Sequence, residues 1–197
     1  MLLKEKLKDK KIILASRSPR RRELLKGAEI EFTLAPDFGV EEVYPADMAV
    51  EEVPGYLSAV KSDSYPHRLD RNEILITADT IVICEGVILG KPEDADDACN
   101  MLRRLSGRRH RVTTGVTLRD SDKCCIFSVS SDVWFRPITE EEINYYVAKY
   151  KPFDKAGSYG IQEWIGYVAI EKIEGSFYNV MGLPIQTLYV ELSRFVD

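Results

Sequence analysis

The stretch that most constrains this chain is Glu73–Ile83, EILITADTIVI. It is dense in β-branched residues, whose side chains pack well on a pleated surface. The pattern predicts a strand, a hairpin turn at Glu85-Gly86 and a return through VILGKP. Asp79 stands inside this strand, where apolar neighbours make an unpaired charge costly. Two readings are open for it. Either the carboxylate is hydrogen-bonded at an irregularity of the strand, or it faces a cleft and holds a metal or a reacting water.

Around that strand, helical and extended patterns alternate. Lys11–Ser16 reads as a short buried strand, and Arg20–Lys26 as a helix ended by Gly27. Ile30–Ala35 reads as a second strand, followed by an acidic loop, DFGVEEVYP. Pro54 suits the first turn of a helix running through Leu57, Val60 and Lys61. Ala95, Ala98, Met101, Leu102 and Leu105 recur at helical spacing after Pro92, and Gly107 stops them. HRVTTGVTLRD and KCCIFSVSSDVWF read as two strands joined at Ser121-Asp122. Thr139 and Glu142 form a capping box for a helix reaching Tyr150. A strand near Tyr167–Ile173 and an amphipathic helix from Leu183 complete the reading. A length of 197 residues is enough for one sizeable core or for two small lobes sharing a cleft, and, with no repeat or low-complexity linker to interrupt it, the chain reads as one α/β domain.

Charge and cysteine content exclude several classes. The formal net charge of -5 argues against general coating of nucleic acid, and aromatic residues do not interleave with the arginines. There is no apolar stretch long enough to span a bilayer, and MLLKEKLKDKK lacks the apolar core of a signal peptide. Cys84, Cys99, Cys124 and Cys125 form no CxxC pair, and His67 and His110 lack zinc-ligand spacing to them. Reduced thiols in a cytoplasmic protein are the simple expectation.

Ser18 is a natural N-cap and Pro19 a natural first helical residue, which puts Arg20, Arg21 and Arg22 in a helix's first turn. Cations there oppose the helix dipole by roughly 0.3–1 kcal/mol each. An anion would reverse that sign, since N–H groups, hydroxyls and guanidinium forks all donate to phosphate. A solvated basic helix face is the other reading. Glu41 and Glu42 make a second acidic point within a loop, and Lys61 and Lys91 are each explicable as surface residues. Together, two acidic points, a basic turn and two lysines suit a triphosphate with a divalent cation.

Motifs in one order along the chain resemble the Maf family of nucleotide pyrophosphatases, also called septum-formation proteins. They are LASRSPRRRELL, ADTIV, LGKP, the pattern ML-RLSG-R-H-V-TGV, PFDKAGSYGIQ and GSFYNVMGLP, from Ile13 to about Ile185. The resemblance implies an elongated α/β fold of the Maf and inosine-triphosphatase kind, its mixed sheet bent around a central cleft and flanked by helices. It implies cleavage of a nucleoside triphosphate to monophosphate and pyrophosphate with Mg²⁺ or Mn²⁺. By position, Asp79, Lys61 and Lys91 are implied in catalysis, Glu42 and Asp79 in metal binding, and Ser16, Arg20, Arg21, Thr80 and Gln162 in substrate binding. PFDKAGSYGIQ is similar to the subgroup acting on dTTP and UTP, with modified pyrimidine triphosphates as further substrates. The amide of Gln162 suits the imide edge of uracil or thymine. Glu163-Trp164 stands where the family usually has glycine, and Ser62 where alanine is usual, the latter read as neutral. The resemblance also carries homodimer formation, and a competing reading as a non-catalytic, nucleotide-binding regulator of cell division.

Overall fold

A computed structural model describes residues 1–197. In chain order the elements are α1 (Leu3–Lys6), β1 (Lys11–Ala15), α2 (Pro19–Gly27), β2 (Thr33–Leu34), α3 (Val53–Asp63), β3 (Glu73–Cys84) and β4 (Val87–Leu89). There follow α4 (Ala95–Leu105), β5 (Arg109–Arg119), β6 (Cys124–Phe135), α5 (Glu140–Tyr150), α6 (Trp164–Ala169), β7 (Ile170–Glu174), α7 (Phe177–Met181) and α8 (Ile185–Phe195). The strands make a seven-stranded sheet in the order β2-β1-β3-β5-β6-β7, with β4 paired to β3. It is mixed: β1 is parallel to β2 and β3, whereas β3–β4 and β6–β7 are antiparallel. The α/β class read from the sequence is therefore the class observed. No helix is long and apolar enough to cross a membrane.

Two compact units divide the chain. The first holds Met1–Asp79, Thr114–Val129 and Gly182–Asp197; the second holds Thr80–Thr113 and Ser130–Met181. In the first, β1 pairs with β3 in register from Lys11 opposite Glu73 to Ala15 opposite Thr77. Ile13, Leu69 and Leu75 are buried together, with Ala15, Ala35 and Tyr65 packed against them. Each such aliphatic side chain contributes roughly 1.5–3 kcal/mol on leaving water. In the second unit, α4 and α5 bury Leu102, Leu105, Ile143, Tyr146 and Val147. Their starts are set by side chains. Asp94 accepts from the Asp97 amide, and Thr139 and Glu142 form the reciprocal capping box. The β3–β4 hairpin turns on Glu85 and Gly86, at φ 52° and 76°, the paired left-handed geometry of a tight two-residue hairpin.

Four local expectations need correction. β2 comprises Thr33 and Leu34 alone, because Ile30 is consumed in closing α2: its amide donates to Leu25. The left-handed residue at that closure is Glu29, at φ 56°, rather than Gly27, which lies within the helix. Residues 164–169 are helical, so the strand expected near Tyr167 begins at Ile170. The last helix starts at Ile185, after Pro184.

Candidate active site

The site begins at the start of α2. Ser18 accepts from the Arg21 amide at 3.4 Å and Pro19 follows it, as the sequence pattern requires. No acidic residue occupies this first turn. Arg21 turns inward. Its Nε donates to the Gly182 carbonyl at 2.7 Å, and Nη1 donates to the Ala78 carbonyl at 2.8 Å and to Ser16 Oγ at 3.3 Å. Ser16 Oγ also accepts from the Ser18 amide at 3.2 Å, so one hydroxyl ties the loop to the guanidinium. Burial lowers the Arg21 pKa from the usual arginine value and Arg20 adds to that, while Asp79 and Glu42 act against it. Arg20, half-buried in the same turn, is thus an electrostatic neighbour of Arg21. Arg17 instead pairs with Asp37 at the surface.

Lys61 lies in the last turn of α3. Its Nζ stands 2.5 Å from Asp79 Oδ1 and 2.8 Å from Glu42 Oε1. Asp79, only 7% exposed, thereby meets its charge partner, and Glu42 is drawn out of the plain solvation expected of a loop residue. One ammonium bridges a strand carboxylate and a loop carboxylate.

Several contacts hold α3 where this happens. Thr77, two residues before Asp79 on β3, donates its hydroxyl to the Ser58 carbonyl at 2.7 Å. Ser58 Oγ lies 2.7 Å from the Gly55 carbonyl and 2.8 Å from Thr117 Oγ1 of β5, all inside the core. A Cβ on Gly115 would lie 2.2 Å from the Pro54 carbonyl, so the strand and the start of α3 meet backbone to backbone. At the helix's other end, Arg119 Nε donates to Ser62 Oγ at 2.9 Å and Nη2 donates to the Ser62 carbonyl. Ser62 is fully buried. The serine read as neutral therefore has a defined partner, on the residue next to Lys61. Sequence reasoning missed these supports, although a glycine inside a strand pattern, Gly115, signals close backbone approach.

The donor set fits a divalent cation of the magnesium kind. Two carboxylates converge on one point, where a cationic group already sits. No third histidine, cysteine or carboxylate completes a cage. Magnesium is held in this way, by one or two carboxylates plus water and phosphate oxygens.

Ser16, Arg21, Glu42, Lys61 and Asp79 are thus gathered within the first unit. The remaining sequence-nominated residues belong to the second unit. Thr80, half-buried, follows Asp79 along β3, and Lys91 is exposed just beyond β4. Gln162 sits at the corner of a turn before α6 and lines a surface concavity with Ile161, Tyr167 and Phe177.

A mixed α/β sheet carrying a carboxylate pair, a bridging ammonium and an arginine-bearing helix start defines a class of protein equipped for polyanions and the cations that accompany them. Within that class the chain belongs to the family of Maf-like proteins, whose pattern matches residues 11–195 and so extends through α8, beyond the limit near Ile185 set by the motifs. It is 52% identical over 193 residues to a dTTP/UTP pyrophosphatase of Porphyromonas gingivalis, covering 97% of each chain. It is 53% identical over 183 residues to a dTTP/UTP pyrophosphatase of Bacteroides thetaiotaomicron, covering 93% of this chain and 95% of that one. Among solved structures, a HAM1 protein from Coxiella burnetii is similar at a TM-score of 0.48 and 15% identity, over 94% of this chain and 99% of that one.

Proposed function

We propose that this protein hydrolyses dTTP and UTP to the monophosphate and pyrophosphate. The observation that carries the reading is the bridge of Lys61 between Asp79 and Glu42, with Arg21 beside it. The activity named for relatives that share about half of its residues across nearly its full length supports the same substrates. Glu42 and Asp79 are the residues that would hold Mg²⁺ or Mn²⁺, which when bound neutralises phosphate oxygens and lowers the pKa of water. Water attacks the α-phosphorus, the bond from that phosphorus to the bridging oxygen breaks, and pyrophosphate leaves with the electron pair. Lys61, Lys91, Arg20 and Arg21 stabilise the charge on the phosphate chain, with Ser16 holding Arg21 in place. Thr80 and Gln162 face the nucleoside, Gln162 offering one donor and one acceptor to the imide edge of a pyrimidine. Asp79 is assigned to holding the cation, and the proton given up by the attacking water passes to solvent. A cytoplasmic setting and a homodimer belong to the same reading.

The test is pyrophosphate release from dTTP and UTP with Mg²⁺. The wild-type protein is expected to release it, and Asp79→Asn to lose activity by about a hundredfold or more. Full activity in Asp79→Asn removes that residue from the reaction. Nucleotide binding by the wild-type protein without release of pyrophosphate replaces the enzyme with the non-catalytic regulator.

A further inference from the structure

The turn that carries Gln162 is closed by a network outside the proposed reaction. The Glu163 amide donates to the Gly160 carbonyl at 3.0 Å, which makes Gly160–Glu163 a four-residue turn with Ile161 and Gln162 at its two central positions. Both ends of that turn converge on one atom, the hydroxyl oxygen of Tyr146. The Gly160 amide donates to it at 3.0 Å, and the hydroxyl donates onward to Glu163 Oε2. The other carboxylate oxygen, Glu163 Oε1, lies 3.0 Å from Nζ of Lys155. Tyr146 is fully buried on α5 and Lys155 is only 8% exposed, and the Lys155 ammonium is shared between Glu163 and the exposed carboxylate of Asp154, 2.7 Å away. A Cβ on Gly160 would lie 2.8 Å from the Glu163 carboxyl carbon, so this position leaves no room for a side chain while Glu163 folds back over it. Gln162 itself is half-buried at the edge of a concavity.

We propose that Glu163, clamped between Tyr146 and Lys155, is a positioning residue for base discrimination: it fixes the turn from which the Gln162 amide meets the pyrimidine. This rests on the reading of Gln162 given above. A turn held in place fixes where the Gln162 side chain leaves the backbone, and so the distance and angle at which its amide meets a base edge, whereas a loose turn lets the amide shift to suit uracil and cytosine alike. Glu163 therefore acts on selectivity without touching the nucleotide.

The experiment measures kcat/KM for UTP and CTP, together with Tm, for the wild-type protein and for Gln162→Ala, Glu163→Ala, Glu163→Gln and Tyr146→Phe. Loss of folded protein alone lowers both substrates equally and leaves their ratio unmoved. The proposal expects Glu163→Ala to narrow the UTP preference about fivefold or more, mainly through KM for UTP. Glu163→Gln, which keeps an oxygen for the Tyr146 hydroxyl, is expected to restore most of the ratio. Should Glu163→Ala fail to fold, Tyr146→Phe carries the test with the same expected narrowing. A ratio that collapses in Gln162→Ala but stays at the wild-type value in the Glu163 and Tyr146 variants overturns the positioning role and leaves the base-reading role standing. A ratio unchanged in Gln162→Ala overturns both.

Discussion

Lys61 carries one positive charge between two negative ones, and that arithmetic governs what its removal does. Asp79 is buried and Glu42 is half in water, so the ammonium matters more to Asp79. Taking one partner from a buried ion pair leaves the other uncompensated, which costs more than the pair contributes. Lys61→Met is therefore expected to destabilise the protein by about 1–3 kcal/mol. The same substitution made in Asp79→Asn should cost measurably less, because the stranded carboxylate is gone. A double-mutant cycle by urea denaturation checks this, with a coupling of about 1 kcal/mol or more expected. Additive effects would mean that the two side chains do not share the short contact. At this scale the sequence was partly legible. Asp79 announced itself as a charge inside an apolar strand, but nothing in the spacing of Glu42, Lys61 and Asp79 required them to meet. They stand on an acidic loop, on α3 and on β3, and only the family motifs placed them together.

α3 is the element that turns sequence distance into proximity, and its position depends on three buried hydroxyls and one missing side chain. Ser58, Thr77 and Thr117 satisfy one another and nearby carbonyls, so burying them leaves no unpaired group. Gly115 lets β5 approach the Pro54–Gly55 backbone, where an added methyl would sit 2.2 Å from atoms that cannot swing aside. Gly115→Ala is expected to cost roughly 1–3 kcal/mol or more, and to reduce activity in whatever fraction stays folded, because α3 is pushed outward with Lys61 on it. Urea midpoints and pyrophosphate release under native conditions test the two halves of that statement. An unchanged midpoint would mean that the strand relaxes at no cost. The same contrast explains which elements were readable beforehand. α4 and α5 carry their own caps and an apolar stripe, so local chemistry defines both ends. β2 and α6 do not. Ile30, apolar and expected in a strand, closes the preceding helix instead, and Trp164–Ala169 becomes helical directly after a turn pinned by tertiary contacts. Sequence periodicity reports exposure to a core, and it is silent about amides spent on closing a helix or on a side chain of another element.

At the scale of the whole molecule, stability in acid turns on a histidine remote in sequence from the acidic loop. His110 is 1% exposed, its ring set edge-on to Phe135 and Tyr159 at centroid distances of 4.9 and 5.3 Å. Nε2 lies 2.7 Å from the Tyr159 hydroxyl, while Nδ1 is buried without a hydrogen-bond partner. A protonated ring would need an acceptor at that nitrogen. Burial accordingly lowers its pKa to about 4, with Asp132 the only group opposing the shift. The unfolded chain binds this proton near pH 6.5 and the folded chain only near 4, so the contribution of His110 is complete above pH 6.5 and is lost as the pH falls between those values. The loss amounts to about 1.4 kcal/mol per pH unit within the window, roughly 3 kcal/mol in all. A second group acts lower. Glu142, bonded to Arg136 and to the Thr139 amide, has its pKa lowered to about 2, so its contribution persists to about pH 4.5 and disappears toward 2. Urea unfolding at intervals from pH 7.5 to 4.5 is thus expected to show stability declining below 6.5, before most carboxylates titrate. His110→Gln, which keeps a polar group facing Tyr159 but cannot be charged, should be less stable at pH 7.5 and nearly flat across the same interval. A wild-type curve that is level down to pH 4.5 would mean that the ring reaches water or an acceptor when it is charged.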